Sequence, residues 1–152
     1  MQIKNILPKN HIMLGLEGSR QEVLNTLATP LLENKVVSDI KNFLTDVDTR
    51  EKQITMQVNP VVALPHARSN AVRRLGLAVG ICKTGICYND DSEPECRLLF
   101  LIAIPAYAPT AHLPLLQHLA AFAHDPGRVD QLLQSRTPAR AASQISRFTI
   151  PK

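Results

Sequence analysis

Two apolar runs, "LGLAVGIC" at 75–82 and "RLLFLIAIP" at 97–105, constrain the fold of this chain more than any other feature. Neither alternates between apolar and polar residues. A half-exposed strand would alternate, so both runs read as central strands covered on both faces. "VVAL" at 61–64 is a third strand-like run, rich in β-branched residues. Helical patterns flank the three. Ser19 and Glu22 make a capping-box pair, and Val23, Leu24, Leu27, Leu31 and Leu32 follow at helical spacing, which predicts a helix over 19–34. Ser38 is expected to cap a second helix striped by Ile40, Phe43, Leu44 and Val47, with Arg50 at or just past its end. Thr110 is expected to cap "AHLPLLQHLAAFAHD". That puts His112 on its first turn, and Pro114 is tolerated there because first-turn N–H groups have no intrahelical partner. A short helix near 128–134 and a last one from Thr137-Pro138 to Arg147 complete the chain. Helices, then strands, then helices specify an α/β fold with one sheet between helical layers.

A length of 152 residues suits a single domain over 1–152 with one substantial core. The longest apolar stretch, "LLFLIAIPAYA", is too short to span a bilayer, and "MQIKNILPKN" has no signal-peptide apolar region. The expected location is therefore the cytoplasm, with no direct membrane insertion. Cys82, Cys87 and Cys96 are odd in number and match no zinc spacing, which in a cytosolic chain means reduced thiols and no metal site. The net charge is +4, but its lysines and arginines are spread from Lys4 to Lys152 without a run or interleaved aromatics. Such a distribution describes a solvated surface, and no nucleic-acid partner is expected.

The candidate for chemistry is His66, in "VVALPHARSN" at 61–70. Pro65 has no N–H to continue a ladder, so His66 is expected at a strand end that opens into a loop, where functional side chains sit on rigid support. An imidazole that merely caps a loop fits the same local pattern. Phosphoryl transfer asks for a nucleophile, a cation for the equatorial oxygens and hydrogen-bond donors that hold the group in line. His66, Arg50 and His112 can supply the three. A neutral imidazole is nucleophilic near neutral pH, a guanidinium binds phosphate oxygens as a planar fork, and a second imidazole donates an N–H. Spacing alone does not bring them together.

The stretch "TREKQITMQVNPVVALPHARSNAVRRLGLAVG" resembles the enzyme IIA domains of the fructose/mannitol class of the phosphoenolpyruvate-dependent sugar phosphotransferase system, with their nitrogen-regulatory relatives. The family's Arg-Glu pair stands here as Arg50-Glu51 and its apolar-Pro-His motif as Leu64-Pro65-His66. The likeness continues through "LLFLIAIPA" to "HLPLLQHLAAF", where the family's second histidine falls on His112. The resemblance implies a mixed sheet with helices on both faces. It also implies a phosphotransferase component, without cofactor or metal, that is phosphorylated on His66 by a histidine-phosphorylated carrier such as HPr. Arg50 and His112 would be the neighbours of His66, and the phosphate would pass to an enzyme IIB. A regulatory protein of the nitrogen type, signalling to a target protein by its phosphorylation state, uses the same chemistry. A non-phosphorylated interaction domain is the remaining alternative.

Two residues depart from the family pattern: Met56 replaces a threonine and Asn59 a glycine. Asparagine tolerates positive φ better than other non-glycine residues, so the turn is expected to survive with Asn59 in that conformation. "CKTGI" at 82–86 is similar to the cysteine phosphate loop of fructose-type enzyme IIB domains, but no helix pattern follows it, and Cys82 reads as structural. His118 and His124 read as packing or surface residues, and His11 has no context. Arg68, Arg73 and Arg74 either raise the local positive potential or lie on a solvated face.

Overall fold

The computed structural model describes residues 2–151. Its strands are β1 (Ile12–Leu16), β2 (Val62–Ala63), β3 (His66–Ser69), β4 (Gly76–Ile86) and β5 (Cys96–Pro105). Its helices are α1 (Arg20–Glu33), α2 (Ile40–Gln53), α3 (Leu113–Ala123), α4 (Pro126–Leu133) and α5 (Pro138–Arg147). One mixed sheet of five strands runs β1-β4-β5-β2, with β3 also on β5. β4 is antiparallel to β5, whereas β1 on β4 and both β2 and β3 on β5 are parallel.

The two apolar runs are the central strands β4 and β5, and their alternation is hidden because both faces are buried. Leu99, Leu101 and Ala103 join the core under α1 and α2, while Leu98, Phe100, Ile102 and Ile104 join the core under α3, α4 and α5. On β4 the face toward α1 is small: Ala78 and Cys82 flank Gly80, where an added Cβ would lie 2.9 Å from the Leu27 side chain. Small residues there let α1 approach the sheet, and the larger Leu77, Val79 and Ile81 fill the opposite layer.

Ser19 caps α1 with the full reciprocal box to Glu22. Thr137 caps α5 and Asp125 caps α4. Three boundaries differ from expectation. Asp39 rather than Ser38 caps α2, accepting from the Asn42 N–H at 3.1 Å, while the Ser38 hydroxyl donates to the Ala71 carbonyl. The helix runs on to Gln53, so Arg50 lies inside its last turn. Similarly, α3 starts at Leu113, so His112 is its N-cap residue instead of a first-turn residue, and Thr110 makes no cap. The third difference concerns Pro65. It interrupts the edge strand without ending it: Val62 pairs with Leu98 and His66 with Ile102 in one unbroken register, so His66 opens β3. β1 has no counterpart in the sequence pattern. It is a short edge strand paired on one side only, and Gly15 at φ 68° breaks its register.

His11 is a buried tie between layers. It is 2% exposed, and its Nδ1–H donates to the Leu77 carbonyl at 2.9 Å while Nε2 accepts from the Asn34 amide at 2.7 Å. Burial holds its pKa below the ordinary value, against the opposing Leu77 bond. Near pH 6.5 the unfolded chain takes up a proton at this residue that the native state still refuses, so its stability contribution is full above about 6.5 and is lost as the pH falls. His11→Ala should cost about 2–4 kcal/mol by leaving a carbonyl and an amide unpaired. Urea unfolding of wild type and variant at pH 7.5 and 5.5 checks both: the wild type should weaken on acidification, and the variant should weaken less.

Candidate functional site

The register of β3 decides where His66 goes. Val62 and Leu64 belong to the core under α3, and His66 follows them at the same parity. It meets there the N-terminal end of α3, and the His66 and His112 rings lie 5.9 Å apart between centroids, tilted by 36°. Arg50 arrives from the other helical layer, because the last turn of α2 reaches the exposed edge of the sheet beside β3. A cavity of about 560 Å³ forms at this edge, lined among others by Arg50, Gln53, His66, Arg68, His112 and Leu113. The three residues singled out in the sequence thus share one cavity.

The His66 Nδ1 lies 2.7 Å from the Leu64 carbonyl. A carbonyl only accepts, so Nδ1 carries the proton of the neutral ring and Nε2 holds the lone pair. Burial lowers the His66 pKa, the Leu64 bond opposes this, and Arg50 adds to the lowering while Glu51 counters it. The neutral, nucleophilic form is therefore favoured over what an exposed imidazole would show. His112 is also held below its ordinary value, by burial first and then by the neighbouring His66 and Arg68. Its buried Nδ1 has no hydrogen-bond partner. Arg50 donates to the Ile54 carbonyl at the end of its own helix at 3.1 Å, which steadies the guanidinium beside the cavity.

The loop before the Pro-His motif uses different physics from that expected. Asn59 is not at positive φ; among the described non-glycine residues only Lys35 is. Its side-chain carbonyl instead accepts from the Val61 and Val62 N–H groups, both at 3.0 Å, and its amide donates to the Ala123 carbonyl at 3.0 Å. Asparagine makes the turn through its side chain, so no glycine conformation is needed. Met56 is buried, and its Sδ accepts from the His66 N–H at 3.3 Å. Glu51, which the sequence offered only as part of a motif, accepts from the Met56 N–H through both carboxylate oxygens at 3.1 and 3.2 Å.

The remaining residues separate cleanly. Of the three arginines after the motif, Arg68 lines the cavity, whereas Arg74 donates to the Asn34 carbonyl at the end of α1. His118 packs against Phe148 and donates Nε2–H to the Ile145 carbonyl, and His124 is exposed at the end of α3. Cys82 sits buried within β4, not in a phosphate loop, and burial pushes its thiol up to about 11. Cys96, also buried, is pushed up to about 12. All three cysteines are free. Among the described residues no group of three or more His, Cys, Asp or Glu side chains is placed to hold a metal ion, and no helix is long and apolar enough to cross a membrane.

Comparison with known proteins supplies the family. Residues 5–147 match the family described as "Phosphoenolpyruvate-dependent sugar phosphotransferase system, EIIA 2". The chain belongs to this family. Domains of this type are phosphotransferase components of that system. The chain is 28% identical over 121 residues to the PTS system fructose-specific EIIABC component of Bacillus subtilis, covering 79% of this chain but only 19% of that relative. It thus spans about a fifth of that protein's length. The fold matches nitrogen regulatory protein IIA-Ntr from Neisseria meningitidis with a TM-score of 0.83 at 22% identity, covering 94% of this chain and 98% of that one. It also matches a chain in the Escherichia coli complex of enzyme IIAMTL and phosphorylated enzyme IIBMTL, with a TM-score of 0.76 at 16% identity, covering 93% of this chain and 96% of that one.

The electrostatics of the His66 cavity are testable without a substrate. Replacing Arg50 by Ala removes a charge that lowers the His66 pKa, so the titration midpoint of His66 should rise toward the ordinary 6.5. An NMR titration of the imidazole signals in wild type and Arg50→Ala measures the shift; an unchanged midpoint would place Arg50 outside electrostatic reach.

Proposed function

We propose that residues 1–152 form a cytoplasmic phosphoryl-carrier domain that accepts phosphate on Nε2 of His66 from an HPr-like phosphohistidine protein and passes it to an enzyme IIB. The observation that supports this most is the ring of His66, whose Nδ1 is tied to the Leu64 carbonyl while the ring borders a cavity shared with Arg50 and His112. In the transfer, the Nε2 lone pair forms the new P–N bond as the donor's P–N bond breaks. That electron pair stays on the donor ring, which leaves as a neutral imidazole. The charge gained by the His66 ring is then stabilised at Nδ1–H by the Leu64 carbonyl. Arg50 offsets charge on the phosphoryl oxygens. His112 donates an N–H to the group without itself accepting phosphate.

The name of the Bacillus subtilis relative makes fructose the first sugar to test downstream of such a carrier. Incubation with phosphoenolpyruvate, enzyme I and an HPr-like protein should give one acid-labile, alkali-stable phosphate, abolished in His66→Ala. Label retained in that variant would place the acceptor elsewhere.

Arg50→Ala should slow labelling by at least about tenfold, with Arg50→Lys between, since lysine keeps the charge and loses the fork. His112→Ala should still be labelled on His66 but acquire or donate phosphate more slowly, and His112→Gln, which keeps an N–H donor, should be milder. Thermal unfolding measured beside the rates separates a kinetic role from packing.

A further inference from the structure

Behind His66, on the side away from the cavity, a chain of hydrogen bonds leads to a buried tyrosine. Tyr88 comes from the connection between β4 and β5, is 2% exposed and lies with the Arg20 guanidinium 4.8 Å over its ring. Arg20 is paired in turn with Asp48 at 2.9 Å. The Tyr88 hydroxyl donates to Glu51 at 3.1 Å, and the Glu51 carboxylate holds the Met56 N–H. The Met56 carbonyl accepts from the Leu64 N–H at 2.9 Å, its Sδ accepts from the His66 N–H, and the Leu64 carbonyl receives the His66 ring proton. Every link from Tyr88 to the imidazole is thus a direct contact.

The strengths of these links differ. A thioether sulfur is a weak acceptor, so the Sδ contact cannot by itself fix where Met56 lies. The Met56 N–H shared between both oxygens of the Glu51 carboxylate can, because charge-assisted bonds are about twice as strong as neutral ones. Glu51 is therefore the anchor and Tyr88 the group that orients it. We propose that Glu51, oriented by the Tyr88 hydroxyl, is a positioning residue that fixes the orientation and Nδ1–H tautomer of His66 through Met56 and Leu64. The kinetic consequence rests on the phosphoryl-carrier reading above, while the tautomer can be measured without it. A merely structural role for Glu51 would lower stability and leave the His66 ring unchanged in folded protein.

The charges around the ring let the two effects of Glu51 be separated. Asp46 and Arg50 on α2, His112 at the start of α3 and Arg68 on β3 face the His66 cavity, and Glu51 acts from behind it. Glu51→Gln keeps an oxygen for the Met56 N–H and removes the charge, so it should retain the tautomer while lowering the ring's titration midpoint. Glu51→Ala removes both.

The test is long-range ¹⁵N–¹H correlation of the histidine rings in the full chain at pH 7.5, with melting temperature and HPr-dependent labelling rate measured on the same samples. Wild type and Glu51→Gln should show His66 protonated at Nδ1. Glu51→Ala should show a mixture of tautomers and labelling slowed by about tenfold or more, as expected for a misplaced nucleophile. Tyr88→Phe, which keeps the ring under Arg20 and removes one oxygen, should fall between. A wild-type His66 spectrum in folded Glu51→Ala overturns the proposal. Should that variant not fold, an unchanged spectrum in Tyr88→Phe overturns it. A shifted tautomer in the variants, with no labelling even of the wild type, upholds the positioning role and removes the phosphoryl-carrier reading instead.

Discussion

Strand β5 is the ruler from which the molecule is measured. It is buried along both faces and hydrogen-bonded on both edges, antiparallel to β4 and parallel to β2 and β3. From Leu98 to Ile104 its residues feed the two cores in alternation. A slip of one residue along it would send every side chain of a neighbouring strand to the wrong layer, so the register is strongly specified. The proline before His66 is compatible with this because it lies on the edge strand. The missing N–H removes a ladder bond and splits the strand in two, yet the Pro65 carbonyl still accepts from the Ile102 N–H at 2.9 Å and the register carries through. The break has a use. The N–H groups of Leu64 and His66 on either side of it turn away from β5 and are taken up by Met56, so the same loop that closes the sheet edge also locates the imidazole.

Arg50 and Glu51 show how one helical turn serves two faces of the site. Neighbouring residues on a helix point about 100° apart. Arg50 borders the cavity in front of His66, and Glu51 reaches the Met56 loop behind it. Their charges act on the ring with opposite sign, Arg50 lowering its pKa and Glu51 raising it. A shorter α2 ending before Arg50 would hold neither side chain in place. The cap at Asp39 and the length of the helix to Gln53 are thus part of the site, although both lie outside it.

The layers and the central strands were legible in the sequence because they rest on local patterns: a fully apolar run, a capping box, a Thr-Pro helix start. The edge features were not. β1 gains pairing from β4 alone and carries a glycine in the left-handed region, so its pattern is weak where its tertiary support is strong. Asn59 suggests a turn through its tolerance of positive φ, but its side chain makes the turn, and the partner that fixes its amide is the Ala123 carbonyl, 64 residues away. Of the site, His66, Arg50 and His112 were legible as chemistry, and His66 and Arg50 also as a motif. Their meeting was implied by the family resemblance but not by spacing, because it follows from how far α2 extends and from where α3 begins. Glu51 illustrates the limit most clearly. An acidic residue in the last turn of a polar helix looks like solvated surface until Tyr88, 37 residues on, is seen to donate to it.

The balance of forces on His66 explains why the site needs a positioning chain at all. Burial acts most strongly and favours the neutral ring, but it says nothing about which nitrogen keeps the proton. Arg50 pushes in the same direction and is equally indifferent to tautomer. Only the carbonyl of Leu64 discriminates, since it accepts from Nδ1 alone, and that carbonyl belongs to a residue flanking a proline on a sheet edge, where β5 supplies no ladder bond. The group that selects the tautomer is therefore held on an edge strand, beside the break at Pro65. A bond network rooted in a buried tyrosine and an ionised carboxylate compensates for that break, which is why the electrostatics in front of the ring and the geometry behind it have to be built from adjacent residues of the same helix.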